Sequence, residues 1–263
     1  MNAAPGSGPS LTGLFDLSGR VAIVTGGGGG IGLGIAEGLA CAHADIVIVE
    51  QGETARAVER LSSLGARTHI VKADVRQEAD WTRIVDECLA RFGRIDILVN
   101  NAGVSLAKAP ELVSLSEWQT IIDTNLTGAF LGTRAVYPQL KRRGAGKIIN
   151  IGSMTSWFGG SFNVPYTASK GGILQLTRGL AVAWGKDNIQ VNAILPGFIE
   201  TAFARRAKAA VPDLDAKVLA RTPAGRWGDP GDFAGIAVFL ASAASDFISG
   251  AAIPVDGGYA VQL

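Results

Sequence analysis

The chain has 263 residues, enough for one large α/β domain with a well-buried core. Its 48% hydrophobic and 18% charged content describes a globule rather than a disordered chain. A net charge of +1 without a basic block argues against nucleic acid or an anionic membrane as partner, and no apolar run approaches membrane-spanning length.

Residues 1–13 read as a flexible tail. Met1 to Thr12 is rich in Gly, Ser, Pro and Ala and lacks the basic start and apolar core of a signal peptide. From residue 14 to 263, short β-branched runs alternate with amphipathic stretches. Strands are predicted at Val21–Thr25, Ile46–Val49, Thr68–Lys72, Ile95–Asn100, Lys147–Ile151, Gln190–Leu195 and Ala252–Val255. Helices are predicted at about Ile31–Ala42, Glu53–Leu64, Glu78–Phe92, Ser116–Arg142 and 166–184. This βα alternation predicts a single Rossmann domain: a doubly wound parallel sheet of about seven strands with helices on both faces. The stretch from Pro196 to about Gly225, broken by Pro212 and Pro223, reads as an irregular lid. Cys41 and Cys88 both fall in predicted helices and read as small core residues of a reducing compartment, so a soluble cytoplasmic protein is expected. No Cys/His spacing suggests a metal, and His43 and His69 are given no role.

The first strand runs into Thr25-Gly26-Gly27-Gly28-Gly29-Gly30-Ile31-Gly32 and then a helix. Glycines there permit a tight turn and bring backbone N–H groups onto a pyrophosphate at the helix N-terminus. The turn residues Gly26, Gly28, Gly29, Gly30, Ile31 and Gly32 are therefore candidate dinucleotide contacts. Glu50 ends the second strand, where a carboxylate accepts hydrogen bonds from ribose hydroxyls and repels a 2′-phosphate. Two unit charges about 4 Å apart interact by roughly 4 kcal/mol at an effective dielectric of 20. Position 29 is Gly and position 51 is Gln, so no cation is expected near the ribose, and NAD is favoured over NADP. Asp74, followed by Val75, either accepts from the adenine amino group or caps a turn. Asn100, Asn101, Ala102 and Gly103 end the fourth strand and either brace neighbouring strand ends or line the adenine–ribose wall.

Tyr166 and Lys170 lie four apart on a predicted helix and so share a face. An ammonium beside a phenol favours the phenolate, which makes Tyr166 a candidate base for an alcohol or acid for a ketone. Helix 166–184 also carries an ordinary core stripe of Ile173, Leu176, Leu180 and Trp184, so the pair alone decides little.

Together the Thr-Gly-x3-Gly-x-Gly turn at 25–32, Asp74, Asn100–Gly103, Asn125, Ser153, Tyr166-x3-Lys170 and Pro196-Gly197 resemble the short-chain dehydrogenase/reductase family from about Gly19 to Tyr259. The resemblance implies that Tyr166 exchanges the proton with the substrate oxygen and that Ser153 positions that oxygen. Lys170 would hold the nicotinamide ribose and lower the pKa of Tyr166. Asn125 would anchor a water that links Lys170 to solvent. It also implies that Pro196, Gly197, Ile199 and Thr201 close over the nicotinamide amide, and that the chain forms a homotetramer through its two long helices. From the residues alone, Thr201 is equally a cap for a helix beginning near Ala202.

Val49–Thr54, Gly152–Met154, Phe158–Gly160 and Pro223–Gly228 are similar to sugar-acid dehydrogenases of that family. A sugar acid needs a cation for its carboxylate. Arg205, Arg206 and Lys208 are candidates, although a solvated helix face is their more ordinary role. Asn163 could face a hydroxyl, and Trp157, Phe158, Phe198 and Phe203 either wall the pocket or pack the lid on the core. The expected function is hydride transfer between NAD and a secondary alcohol or ketone of a small sugar acid or polyol. The alternatives are an NADP-dependent 3-oxoacyl-carrier-protein reductase and a non-catalytic dinucleotide sensor.

Overall fold

The computed structural model describes residues 10–262 except 203, 206, 207 and 209–211. Seven strands form one sheet: β1 (Val21–Thr25), β2 (Asp45–Glu50), β3 (Thr68–Lys72), β4 (Ile97–Asn100), β5 (Gly146–Ile151), β6 (Ile189–Pro196) and β7 (Ala252–Val255). Their order is β3-β2-β1-β4-β5-β6-β7, and every pairing is parallel. The order reverses between β1 and β4, which opens a crevice at the carboxyl ends of those two strands.

Alternation along the strands divides the core in two. Ala22, Val24, Ile46, Ile48 and Val99 face one layer, and Val21, Ile23, Val47, Val49 and Leu98 face the other. The first layer is covered by α2 (Gly30–Cys41) and the second by α4 (Glu78–Phe92) and α6 (Gly128–Arg143). Helix α4 buries Trp81, Ile84, Val85 and Cys88, a stripe of period 3.6, and ends on Gly93 in the left-handed region at φ 75°. The remaining helices are α1 (Leu11–Leu14), α3 (Ala55–Ser63), α5 (Leu115–Ile122), α7 (Val164–Trp184), α8 (Leu214–Arg221) and α9 (Ala234–Ala241).

Several expectations change. The single helix expected over 116–142 is two helices, α5 and α6, joined by a π-helical turn at Asp123–Thr127. Of the predicted tail, Ser10 caps α1 by accepting from Gly13 N at 3.1 Å, and residues 1–9 lie outside the described part. The stretch 196–225 is not irregular throughout, because α8 packs Leu214 and Val218 with Ala204 and Trp227 in a small satellite core. Cys41 is exposed rather than in the core, whereas Cys88 is buried and its thiol is pushed up to about 12. No helix among the described residues is long and apolar enough to cross a membrane.

Gly132 of α6 lets the fully buried Trp81 ring lie against the helix backbone. A Cβ at that position would stand 2.4 Å from two ring carbons. Gly132→Ala is therefore expected to destabilise the protein by about 1–3 kcal/mol through overpacking. Thermal unfolding should fall by several degrees, and an unchanged midpoint would show that the ring has room to shift.

Candidate active site

One pocket of about 620 Å³ occupies the crevice. Its floor is the glycine turn. Gly26 and Gly30 take left-handed φ values of 64° and 53°, and Gly29 precedes α2 without any side-chain cap. Among the described residues the first-turn N–H groups of α2 thus have no side-chain acceptor, just where Gly26, Gly29, Gly30 and Ile31 line the pocket. A Cβ on Gly29 would meet nothing within 4 Å, but one on Gly32 would stand 2.2 Å from Gly26 O. Gly29 therefore leaves room for a ligand, whereas Gly32 lets α2 pack onto the turn. Neither Gly32 nor Gly28 lines the pocket; the N–H of Gly28 donates to Glu50 Oε2 at 3.3 Å.

The turn is stitched to β4. Thr25 Oγ1 donates to Val99 O at 3.2 Å and accepts from Asn101 N at 2.9 Å and Ala102 N at 3.0 Å. Asn101 Nδ2 donates to Thr25 O and Gly26 O at 2.9 and 3.0 Å. Asn100 points into the sheet's other layer, donating to Asn150 Oδ1 at 2.8 Å and Thr133 Oγ1 at 3.0 Å. Asn100 thus only braces strands, whereas Asn101 both ties the end of β1 to β4 and lines the pocket with Ala102 and Gly103.

At one end of the pocket lie Glu50, Gln51, Asp74, Val75, Arg76, Thr120 and Thr124. The Glu50 carboxylate accepts from the N–H groups of Gly28, Gln51 and Gly52. Asp74 is gripped by Arg76, whose Nη2 approaches Oδ2 at 2.6 Å, and the guanidinium holds the Asp74 carboxyl below the usual range. The sequence expectation of no nearby cation needs correction here. Arg76, two residues past Asp74 rather than adjacent to Glu50, lines the same pocket.

At the other end lie Ser153, Tyr166 and Lys170, with Pro196, Gly197, Ile199 and Thr201. The Ser153 hydroxyl hydrogen-bonds the Tyr166 phenol, and the Lys170 ammonium sits 5.6 Å from the phenol ring centroid. Ser153 is fixed as the cap of the 3₁₀ turn Met154–Ser156, and Ser156 Oγ donates to Lys170 O at 2.8 Å, tying β5 to α7. Lys170 is only 4% exposed and donates to Ile151 O at 2.6 Å. Burial pushes its pKa down from 10.5 to about 8. Burial also raises the phenol, opposed by the Ser153 hydrogen bond. The expected depression of Tyr166 by Lys170 is therefore not found: desolvation of the phenolate dominates, and the Ser153 hydrogen bond is what opposes it. Asn125 lies in the π turn, behind the pocket wall. Its amide donates to Val104 O and Ser169 Oγ at 2.9 and 3.0 Å and accepts from Val104 N at 2.8 Å. It is bonded to a distant loop rather than to its own helix.

A family model described as enoyl-(acyl carrier protein) reductase matches residues 26–260. The 2-dehydro-3-deoxy-D-gluconate 5-dehydrogenase of Dickeya dadantii is 42% identical over 246 residues, 93% of this chain and 97% of that protein. The 5-keto-D-gluconate 5-reductase of Escherichia coli is 40% identical over 256 residues, covering 95% and 99%. A solved gluconate 5-dehydrogenase from Burkholderia cenocepacia, in complex with NADP and tartrate, has a TM-score of 0.90 at 40% identity and covers 96% and 99%. The chain belongs to the short-chain dehydrogenase/reductase family. It is an NAD(P)-dependent oxidoreductase acting on CH–OH groups.

In this dehydrogenase the segment after β6 supplies four wall residues. Gly197 lets the backbone pass β7, since a Cβ there would stand 2.8 Å from Asp256 Cα. Thr201 both lines the pocket and caps, accepting from Ala204 N at 3.1 Å. The cations proposed for a substrate carboxylate are elsewhere. Arg205 is exposed off the pocket, and Lys208 is clasped by Glu200 and Asp215 over the Trp227 ring. Arg206 and Phe203 lie outside the described residues. Trp157 and Phe158 are exposed, and Phe198 packs on Trp227 and Tyr259, so none of these three walls the pocket. Asn163 likewise stays off the pocket and accepts from Thr167 Oγ1 at 3.2 Å. Val104, Ile151, Gly152 and Ala202 form the wall instead. Arg76 was missed because it belongs to no motif, its one sequence signal being a cation two residues past Asp74. Thr25 opens the glycine-turn motif, but nothing in the sequence assigns its hydroxyl a role of its own.

The buried Lys170 has a consequence for stability. Between about 8 and 10.5 the unfolded chain binds a proton that the folded one has released, so stability rises with pH across that window. Below it the folded protein carries a desolvated charge. Lys170→Met is expected to abolish turnover yet raise stability at pH 7 by on the order of 1–2 kcal/mol, after allowing for the lost bond to Ile151. The gain should shrink as pH approaches 10. Chemical denaturation at pH 7 and pH 9.5 checks this, and a less stable variant at pH 7 refutes it.

Proposed function

We propose that this enzyme interconverts a secondary alcohol and ketone of a small sugar acid, with NAD as the preferred cofactor. The observation that carries the reading is one continuous pocket with an uncapped glycine turn at its floor and the Ser153–Tyr166–Lys170 set at one end. The sugar-acid substrate is supported by the relatives named for gluconate derivatives. These outweigh the acyl-carrier alternative.

The fit to a dinucleotide rests on the turn. Uncapped N–H groups at the start of α2 suit a pyrophosphate, and the open space at Gly29 admits it. Gly26, Gly30 and Ile31 would share that contact, with Gly28 and Gly32 shaping the turn from behind. Asp74, Val75, Asn101, Ala102 and Gly103 would line the adenosine half. A bound nicotinamide would supply or accept the hydride. Tyr166 would pass its phenolic proton to a ketone oxygen, or take one from an alcohol, while Ser153 holds that oxygen. Lys170, charged below about pH 8, would bind the nicotinamide ribose. The amide of Asn125, by fixing Val104 and Ser169, would keep the space beside Lys170 open for a proton-carrying water. Pro196, Gly197, Ile199 and Thr201 would close over the nicotinamide as the leading edge of the lid at 196–225. The exposed Phe130 of α6 and Val182 of α7, 42% and 86% accessible, would be covered in a homotetramer, which light scattering after gel filtration can check.

A raised phenol pKa keeps Tyr166 protonated at neutral pH, the form that donates to a ketone. Ketone reduction should therefore be flat across about pH 6–8, and alcohol oxidation should climb with pH above it. Tyr166→Phe should lower kcat on the order of 10²–10⁴-fold while cofactor affinity changes little. Assays with gluconate-type acids, polyols and simple ketones test both points, and retained turnover in the variant overturns the assignment.

Cofactor choice rests on Glu50, whose carboxylate is pinned by three backbone N–H groups and cannot readily withdraw from a 2′-phosphate. The expected preference is at least tenfold in kcat/KM for NAD over NADP, narrowing in Glu50→Ala. The NADP seen in the Burkholderia relative makes this the open comparison. Equal use of both cofactors by the unaltered enzyme overturns it.

A further inference from the structure

The Asp74–Arg76 pair sits at the pocket end remote from Tyr166, and its geometry is unusually constrained. Arg76 Nε approaches both Asp74 oxygens at 3.0 Å and Nη2 approaches Oδ2 at 2.6 Å. The backbone N–H of Arg76 also donates to Asp74 Oδ1 at 3.0 Å. Such a bidentate contact lies near the guanidinium plane, so it occupies one edge of the group and not its faces, and Arg76 lines the pocket. The supporting loop is clamped as well. Asp80 Oδ2 accepts from Asp74 N at 2.7 Å, and Arg83 binds both Asp80 Oδ1 at 2.7 Å and Lys72 O at 2.6 Å.

Two further observations bear on what those faces meet. Asp74 is saturated by Arg76, and Gln51 also bonds it, so the carboxylate has little capacity left for a base amino group. The Arg76 charge is likewise matched by Asp74, which weakens it as a phosphate ligand but leaves its planar surface intact. Thr120 and Thr124 line the same end of the pocket and offer no aromatic ring to stack on a base.

We propose that Arg76 is the affinity-determining residue for the adenine base, its guanidinium held by Asp74 and laid flat against the ring. This rests on the reading that the pocket takes a nicotinamide dinucleotide. Asp74 then acts as a positioning residue. The contact is made by any adenine-bearing form of the cofactor and does not distinguish NAD from NADP.

The test is fluorescence titration of NADH and NADPH on the unaltered protein, Arg76→Ala and Arg76→Lys, with turnover of reduced nicotinamide mononucleotide, which has no adenine. Arg76→Ala should weaken both dinucleotides about tenfold, leave kcat at saturating cofactor unchanged and leave the mononucleotide unaffected. Arg76→Lys should stay weak, because an ammonium keeps the charge without the plane. Weakening confined to NADPH overturns the proposal in favour of a 2′-phosphate contact. Undiminished affinity in Arg76→Ala, or full recovery in Arg76→Lys, also overturns it. Impaired mononucleotide turnover would assign Arg76 to the scaffold instead. If the unaltered protein binds neither dinucleotide, the reading of the pocket itself fails, a result distinct from all of these.

Discussion

The hydroxyl of Thr25 is the joint on which the site depends. It is 1% exposed, and three backbone groups of the β4 end meet on it. A parallel sheet leaves its carboxyl edge unpaired wherever strand order reverses, because the loops leaving β1 and β4 diverge to opposite faces. Thr25 and the Asn101 amide close that gap from both sides. They fix the glycine turn without filling the crevice, so the N–H groups at the start of α2 remain free for an anion. A valine at position 25 would match the shape but leave the N–H groups of Asn101 and Ala102 without their acceptor.

Burial does opposite things to the two reacting groups, and the site uses both. It lowers Lys170 and raises Tyr166, so each is driven towards its neutral form. A neutral phenol is a ready acid for a ketone oxygen. Making it a base for an alcohol requires a favourable charge nearby, and a buried lysine near its own titration point is a charge that ligand binding can restore. The simple expectation that an adjacent lysine depresses the tyrosine fails because desolvation dominates at the phenol.

What could be read from the sequence was what is local. Periods of two and 3.6 placed β1, β3, β7 and α4 to the residue, and the glycine run between strand and helix announced the turn. The features that escaped depend on contacts across the chain. The π turn at Asn125 exists where its amide reaches Val104, 21 residues away, and nothing in Asp123–Thr127 marks it apart from the helices on either side. Arg76 enters the pocket because β3 lies beside β2, a neighbourhood that spacing from Glu50 cannot show. For the aromatic residues near Ser153 and Pro196 the sequence leaves pocket wall and lid packing equally open. Exposure removes Trp157 and Phe158 from the wall, and Phe198 takes the packing role in the satellite core around Trp227.

The two edges of the sheet divide stability from chemistry. At the amino edge, Asp96 is 3% exposed. Burial alone would raise its carboxyl, but Arg94, the Val21 N–H and Arg143 hold it below the ordinary range, with Arg20 in contact too. Asp96 thus meets Arg20, Arg94, Arg143 and the Val21 N–H. At the carboxyl edge the opposite holds. The first turn of α2 has no side-chain cap, and Lys170 is desolvated with one backbone acceptor. Such groups are destabilising until a ligand completes them, and a ligand that completes them is bound all the more tightly. A fold that partners Asp96 at one edge can leave the other incomplete, and the incompleteness is what the pocket offers to its cofactor.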